Sequence, residues 1–323
     1  MPLYGKLCVP PPAKVCAASM SNFRRNASVS GGGNAVRRPV AVITGAAKGI
    51  GFEVAKRLAP THRVALLDRD ETALQEATAT IGADAAGFVC EITDSASVAS
   101  AITAVVDRFD RIDVAISNAG IGVVGVARHL DPDALAGQLD VNLTGNWRFM
   151  HACLPHLISS RGYVLAVASA AALAAPPAEG FYAASKAGLE ALVNVVRVEV
   201  AHLGVDVGVA YPMFVATPMV QTADADHPDL LYVRKKLSTT DVSASDAAAR
   251  LVRAVERRSS HVFVPGSVRF QHVFRGVIRP LIDRVCRRIA PEVDRLTAAK
   301  VAERGPLGAA FNRPSSPVQD KQV

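Results

Sequence analysis

The stretch GFYAASKAGLE, from Gly180 to Glu190, contains two side chains whose pairing could do proton chemistry. Tyr182 and Lys186 are four residues apart, so on a helix they share one face. An ammonium beside a phenol favours the phenolate, which draws the tyrosine's pKa toward neutral pH. Such a tyrosine can give and take a proton on an alcohol or carbonyl oxygen. Taken alone, the pair also reads as a helix start with a half-buried tyrosine and a solvated lysine. Ser169 and Asn142, singly, read as a strand-end serine and a helix asparagine.

A second stretch, TGAAKGIG, runs from Thr44 to Gly51 directly after an apolar run. Gly45, Gly49 and Gly51 allow a tight turn and a close approach to a pyrophosphate, and the following helix would offer its N–H groups to the charge. The next apolar run ends in Asp68. A carboxylate there hydrogen-bonds ribose hydroxyls and repels a 2′-phosphate, which favours NAD over NADP. Lys48 and Arg69 argue the other way, since each could attract that phosphate. A strand-end aspartate capping the helix at Glu71 is the plainer reading of Asp68.

These residues need elements to hold them. From Pro39 onward, short β-branched runs (PVAVIT, RVALLD, GFVCE, DVAISN, YVLAVAS, VDVGVAYP and later HVFVP) alternate with helical stretches. The helices are expected at Gly49–Leu58, Glu71–Ile81, Ser95–Phe109, Asp133–Ser159, Ala183–Leu203 and Ala244–Arg257. Continuous apolar strands separated by helices predict an α/β, doubly wound, parallel seven-stranded sheet, with ligands at the carboxyl ends of the strands.

The formal charge of +7 sits at the ends. Residues 1–38 carry six basic side chains and no acid, and the stretch from Arg257 onward has 13 basic and 5 acidic ones, which leaves 39–256 at −7. A nucleic-acid-binding core is therefore not expected. Five cysteines without C-x-x-C spacing and histidines without ligand spacing predict neither a disulfide framework nor a metal site, and fit the cytoplasm. Residues 1–38, rich in Pro, Gly and Ser, are expected to be a disordered basic tail. They share the acid-poor composition of an organelle transit peptide but lack an arginine-spaced amphipathic helix, so targeting is the less favoured reading.

In combination, these motifs resemble the short-chain dehydrogenase/reductase family in its compact single-domain form, over roughly residues 39–265. TGAAKGIG is similar to the family's T-G-x-x-x-G-x-G loop, and SNAG at 117–120 to its N-N-A-G element. Asn142 in VNLTG, then Ser169, Tyr182 and Lys186, follow the order of its active site. YPMFVATPM, from Tyr211, is similar to the segment beside the nicotinamide. The resemblance implies a Rossmann fold and an oxidoreductase that moves a hydride between a nicotinamide cofactor and a CH–OH group. Tyr182 would be the acid/base, Lys186 its pKa-lowering partner and ribose ligand, Ser169 the substrate-oxygen ligand, and Asn142 a holder of a relay water. Thr44, Gly45, Lys48, Gly49, Ile50, Gly51, Asp68, Arg69, Glu91, Ile92, Asn118, Ala119, Gly120, Tyr182, Lys186, Pro212, Val215 and Thr217 would bind the cofactor, NAD favoured over NADP. Three positions depart from the pattern: Glu91 for an aspartate, Ala172 for a glycine after the serine, and Met213 for the glycine after Pro212. Family habit implies a homodimer or homotetramer.

The substrate wall is expected from Ala170, Ala171, Leu173, Pro176, Pro177, Met213 and Phe214, with Glu179 as its acid and no arginine clamp, which points to a lipophilic alcohol or ketone. Thr217–Thr240 has the length of a lid. Residues 266–305 form a helical extension with apolar residues at 270, 273, 274, 277, 278, 281, 282, 285 and 289 among arginines; Pro280 should kink or split it. Its stripe fits peripheral membrane contact through 268–289, or docking on its own domain or a second subunit. Residues 306–323 read as a disordered tail. An NADPH-dependent carbonyl reductase and a non-catalytic NAD(P)-sensing module are the competing functions.

Overall fold

The computed structural model describes residues 38–217, 220, 227–237 and 241–305. Both expected tails, except Arg38, and much of the expected lid lie outside the described residues. Seven strands form one sheet: β1 (Val40–Thr44), β2 (Arg63–Asp68), β3 (Ala85–Val89), β4 (Val114–Ser117), β5 (Tyr163–Val167), β6 (Asp206–Pro212) and, last in sequence, β9 (His261–Val264). Their order is β3-β2-β1-β4-β5-β6-β9, all parallel. The chain winds outward from β1 to β3 and then crosses back to β4. The reversal opens a crevice beyond the carboxyl ends of β1 and β4. A separate pair, β7 (Val215–Ala216) and β8 (Val242–Ser243), follows β6.

Alternation along the strands makes two cores. In β1, Val40 and Val42 join one apolar cluster, and Ala41 and Ile43 the other. Helices α3 (Ser95–Phe109), α5 (Asn146–Ser160) and α6 (Gly180–Val200) close the first face. Helices α1 (Gly49–Leu58), α2 (Glu71–Ile81) and α8 (Ala244–Arg257) close the second. Asp70 and Asp94 start α2 and α3 by accepting from Ala73 and Ala96 backbone N–H groups.

Three expectations are corrected. The helix expected over Asp133–Ser159 is broken into α4 (Pro132–Leu139), a π-helical turn (Asp140–Gly145) and α5. The wide turn frees carbonyls, and the Asn146 amide takes two of them, Val141 O at 3.0 Å and Asn142 O at 3.1 Å. Arg38, assigned to the tail by composition, belongs to the folded unit, where it donates to Asp84 and to the His62 carbonyl. Pro280 does not split the extension. Helix α9 (Val268–Val273) gives way to α10 (Arg275–Arg304) at Phe274, and α10 runs through both Pro280 and Pro291. The carbonyl that Pro280 leaves unbonded belongs to Gly276, which is exposed to water. Further along, Ile289 and Val293 pack with Val233 of α7 (Pro228–Lys236), and Thr297 donates to the buried Asp229 at 2.6 Å.

Candidate active site

The crevice holds a cavity of about 360 Å³. Of the expected cofactor residues, Thr44, Gly45, Lys48, Gly49, Ile50, Asp68, Arg69, Glu91, Ile92, Asn118, Ala119, Gly120, Tyr182, Lys186, Pro212 and Thr217 line it. Gly51 and Val215 do not. Gly51 lies beneath the loop, where a Cβ would press on the Gly45 carbonyl and come within 2.7 Å of Asn118 Nδ2. Gly45 and Gly49 hold φ of +62° and +61°, which a side chain would strain, and Thr217 sits over Gly49. Val215 faces the neighbouring pocket and pairs with Val242.

The loops that shape this crevice are locked by short polar side chains. Thr44 Oγ1 accepts from the N–H groups of Asn118 (2.9 Å) and Ala119 (3.0 Å). Asn118 Nδ2 donates back to the carbonyls of Thr44 and Gly45 at 3.0 and 3.1 Å. Asn146, absent from the expected set, joins the Ala119 carbonyl (2.9 Å) to the π turn and accepts from Ser117 Oγ. Asn142 is fully buried; it accepts from Ile121 N–H (2.8 Å) and donates to Ile121 O and Ser185 Oγ, both at 2.9 Å. A Cβ on Gly120 would lie 3.2 Å from Asn142 Oδ1 and 3.3 Å from Lys186 Nζ, so this glycine is where the two side chains converge.

At the ribose end, Asp68 accepts from Ala47 N–H and Asp70 N–H, both at 3.2 Å. It does not cap α2, which is the work of Asp70. Lys48 Nζ is 2.9 Å from Asp70, and Arg69 lies 4.0 Å from Glu91. Glu91 turns its longer side chain back to accept from the backbone and hydroxyl of Thr93.

Tyr182 lies on the boundary between this cleft and a second pocket of about 530 Å³. Beside it, Ser169 Oγ donates to Pro212 O at 3.4 Å and accepts from Ala171 N–H at 3.1 Å. Burial pushes Tyr182 up to about 12, with Ser169 pulling the other way. The ammonium lies 5.9 Å from the ring centroid and donates to Val167 O at 2.9 Å. Burial brings Lys186 itself down to about 8, which still leaves it an ammonium at neutral pH.

The second pocket takes Ala170, Ala171, Pro176, Glu179, Met213 and Phe214 from the expected wall. Leu173 instead enters the core, and Pro177 is not in the lining. Two corrections concern charge and backbone. An arginine does stand here: Arg234 of α7 is buried, bonded to Asp241, with its guanidinium 4.8 Å from the Phe214 ring centroid. Glu179 is buried too, and burial raises its carboxyl to about 7 against the pull of Arg234. Met213 replaces the expected glycine without taking its backbone shape, for the left-handed residue is Phe214, at φ +40°. That position costs a side-chain-bearing residue about 1 kcal/mol, and Met213 N–H is meanwhile tied to Val264 O at 2.8 Å.

A short chain dehydrogenase family model matches residues 39–228, more than half of the chain. An uncharacterised oxidoreductase of Staphylococcus epidermidis is 29% identical over 210 residues, 64% of this chain and 89% of its own length. The trans-4-hydroxycyclohexanecarboxylate dehydrogenase of Sinomonas cyclohexanicum is 32% identical over 194 residues, 57% of this chain and 75% of its own. A solved actinorhodin polyketide ketoreductase variant with NADPH is similar with a TM-score of 0.67 at 25% identity, over 72% of this chain and 97% of that one. With the doubly wound sheet and its glycine loop in place, the chain belongs to the short-chain dehydrogenase/reductase family and is an oxidoreductase.

Proposed function

We propose that the protein interconverts a lipophilic secondary alcohol and its ketone with NAD as the preferred cofactor, using Tyr182 as the acid/base. The observation that carries this is the position of Tyr182: it lines both cavities, and Ser169 lines the second one with it. The glycine turn, the carboxylate of Asp68 and the apolar floor at Ile92 and Val141 suit a dinucleotide. When bound, its nicotinamide supplies or accepts the hydride. In reduction the carbonyl carbon gains that hydride and its oxygen gains the Tyr182 proton; oxidation reverses both transfers. Ser169 orients the substrate oxygen. Lys186, with one N–H on Val167 and two more available to an ammonium, holds a ribose hydroxyl and re-supplies the proton. Asn142 fixes the loop and the start of α6 through Ile121 and Ser185, and the second lone pair of its Oδ1 is left to hold the relay water.

The NAD preference rests on where the cations are. Lys48 faces Asp70 and Arg69 faces Glu91, so a 2′-phosphate beside Asp68 would meet three carboxylates. A homodimer or homotetramer is also part of this reading, supported by Val195 and Val198, which stand exposed on the long helix α6. A lipophilic substrate partitions into lipid, which gives the exposed helical segment 268–289 a natural partner.

The test is to follow reduced-nicotinamide absorbance while the protein meets a panel of lipophilic secondary alcohols, with NAD⁺ and NADP⁺ side by side. Turnover with NAD⁺ in preference is expected. Preference for NADP⁺ would overturn Asp68 as selector, and silence with both despite cofactor binding would overturn the substrate reading.

A further inference from the structure

We propose that residues 268–289 form a docking surface for an anionic membrane, and that the two helices concerned pass a lipophilic substrate from that surface to the pocket behind them. The docking stands by itself; the delivery rests on the lipophilic reading of the substrate.

Helical periodicity shows a single apolar stripe here, and the structure divides it into two faces. Of the stripe, Ile289 turns inward and is buried and Ile282 lines the substrate pocket; Val268 and Cys286 of the same helices are also buried. Phe270, Val273, Phe274, Val277, Leu281 and Val285 turn outward and are 43% to 67% exposed. Ten large apolar side chains are exposed among the described residues, and six of them lie on this one surface. Large apolar side chains gathered this way mark a contact surface, whereas scattered ones do not.

Charge selects the occupant. Arg269, Arg275, Arg279, Arg284, Arg287 and Arg288 are exposed along the same helices, and Asp283 is the acid of the segment. Arg275 also reaches Glu190, at 3.4 Å. A second copy meeting this face about a two-fold axis would bring arginines against arginines. A leaflet containing anionic lipid accepts both parts, the apolar side chains below the headgroups and the guanidinium groups among them. The exposed valines of α6 offer a subunit contact without that repulsion.

The same two helices are a wall of the active site. Ser267, at the start of α9, with Gln271 and Ile282, lines the pocket that also holds Ser169 and Tyr182. Gln271 follows the exposed Phe270, and Ile282 follows the exposed Leu281. One side of each helix therefore meets lipid while the other meets substrate, so a molecule dissolved in the leaflet has a short route to Tyr182.

The experiment uses the full chain, with vesicles of phosphatidylcholine alone or mixed with phosphatidylserine. Co-sedimentation is expected with the mixed vesicles, about tenfold stronger than with phosphatidylcholine alone, and weakening as salt rises. Val277→Ser/Leu281→Ser, both on exposed positions, should lower that binding about tenfold while leaving the unfolding temperature in place. Turnover of a vesicle-borne alcohol should fall with it, and turnover of a water-soluble alcohol should not. Absence of vesicle binding, or a concentration-dependent dimer abolished by the double substitution, would overturn the docking. Vesicle binding with equal loss of vesicle-borne and soluble turnover would overturn the delivery. Vesicle binding without turnover on any lipophilic alcohol would sustain the docking and count against the substrate reading alone.

Discussion

The cleft at the strand ends and the second pocket share Ile50, Tyr182, Pro212 and Thr217, yet they are built by different means. The cleft is framed by strand ends and by small polar side chains whose hydrogen bonds over-determine the loops: Thr44, Ser117, Asn118, Asn142 and Asn146. The pocket is mostly apolar surface drawn from distant segments, with a buried acid and a buried arginine and a left-handed Phe214 in its wall. The reacting atoms must be held on the rigid side, while the other side can change shape and polarity without disturbing them. Two of the three departures from the family pattern, at Ala172 and Met213, fall in or beside the pocket, and the third, Glu91, lines the cleft.

The contrast can be broken most severely from the cleft. Asn146→Ala should cost several kcal/mol, because a buried hydroxyl and three carbonyls lose their partner at about 1–3 kcal/mol for each group left unsatisfied. Urea unfolding would show a lower midpoint with cofactor affinity falling alongside; a midpoint within experimental error of the parent would mean that the network is ornamental. Asp68→Ser should be milder in stability but move the NADP⁺-to-NAD⁺ ratio of kcat/KM up by about tenfold, a change of about 1.4 kcal/mol. An unchanged ratio would show that Asp68 does not read the ribose.

The smallest effect belongs to the pocket. Glu179 has a carboxyl raised to about 7 by burial, so from the ordinary carboxylate range up to pH 7 the folded chain binds more protons than the unfolded one. This contribution to stability is complete at low pH and is lost as pH rises toward 7. Glu179→Gln should therefore flatten the fall in unfolding temperature between pH 5 and pH 7.5 by a few degrees. A parallel pair of curves would place the carboxyl in water.

Much of the cleft was legible because its rules are local. A glycine turn between a strand and a helix, an acid at the next strand end and a tyrosine four before a lysine are patterns within one or two elements. Asn146 was not legible, since its worth comes from carbonyls at residues 119, 141 and 142 meeting at one amide. Arg234 sits in a run with Lys235 and Lys236 that reads as a solvated helix end, and only the packing of α7 turns it inward. Spacing gives the proximity of Tyr182 to Lys186, but not the burial that raises the phenol and lowers the ammonium. Likewise, periodicity showed a stripe on the last helices and could not reveal that six of its nine positions are exposed.

The central claim, that Tyr182 moves the proton, is tested most directly by Tyr182→Phe, with NAD⁺ affinity measured by fluorescence titration beside turnover of the best alcohol in the panel. The account predicts a loss of about 10²–10⁴-fold in kcat/KM with affinity changed by less than about threefold. Retained turnover, or affinity and turnover lost together, would contradict it.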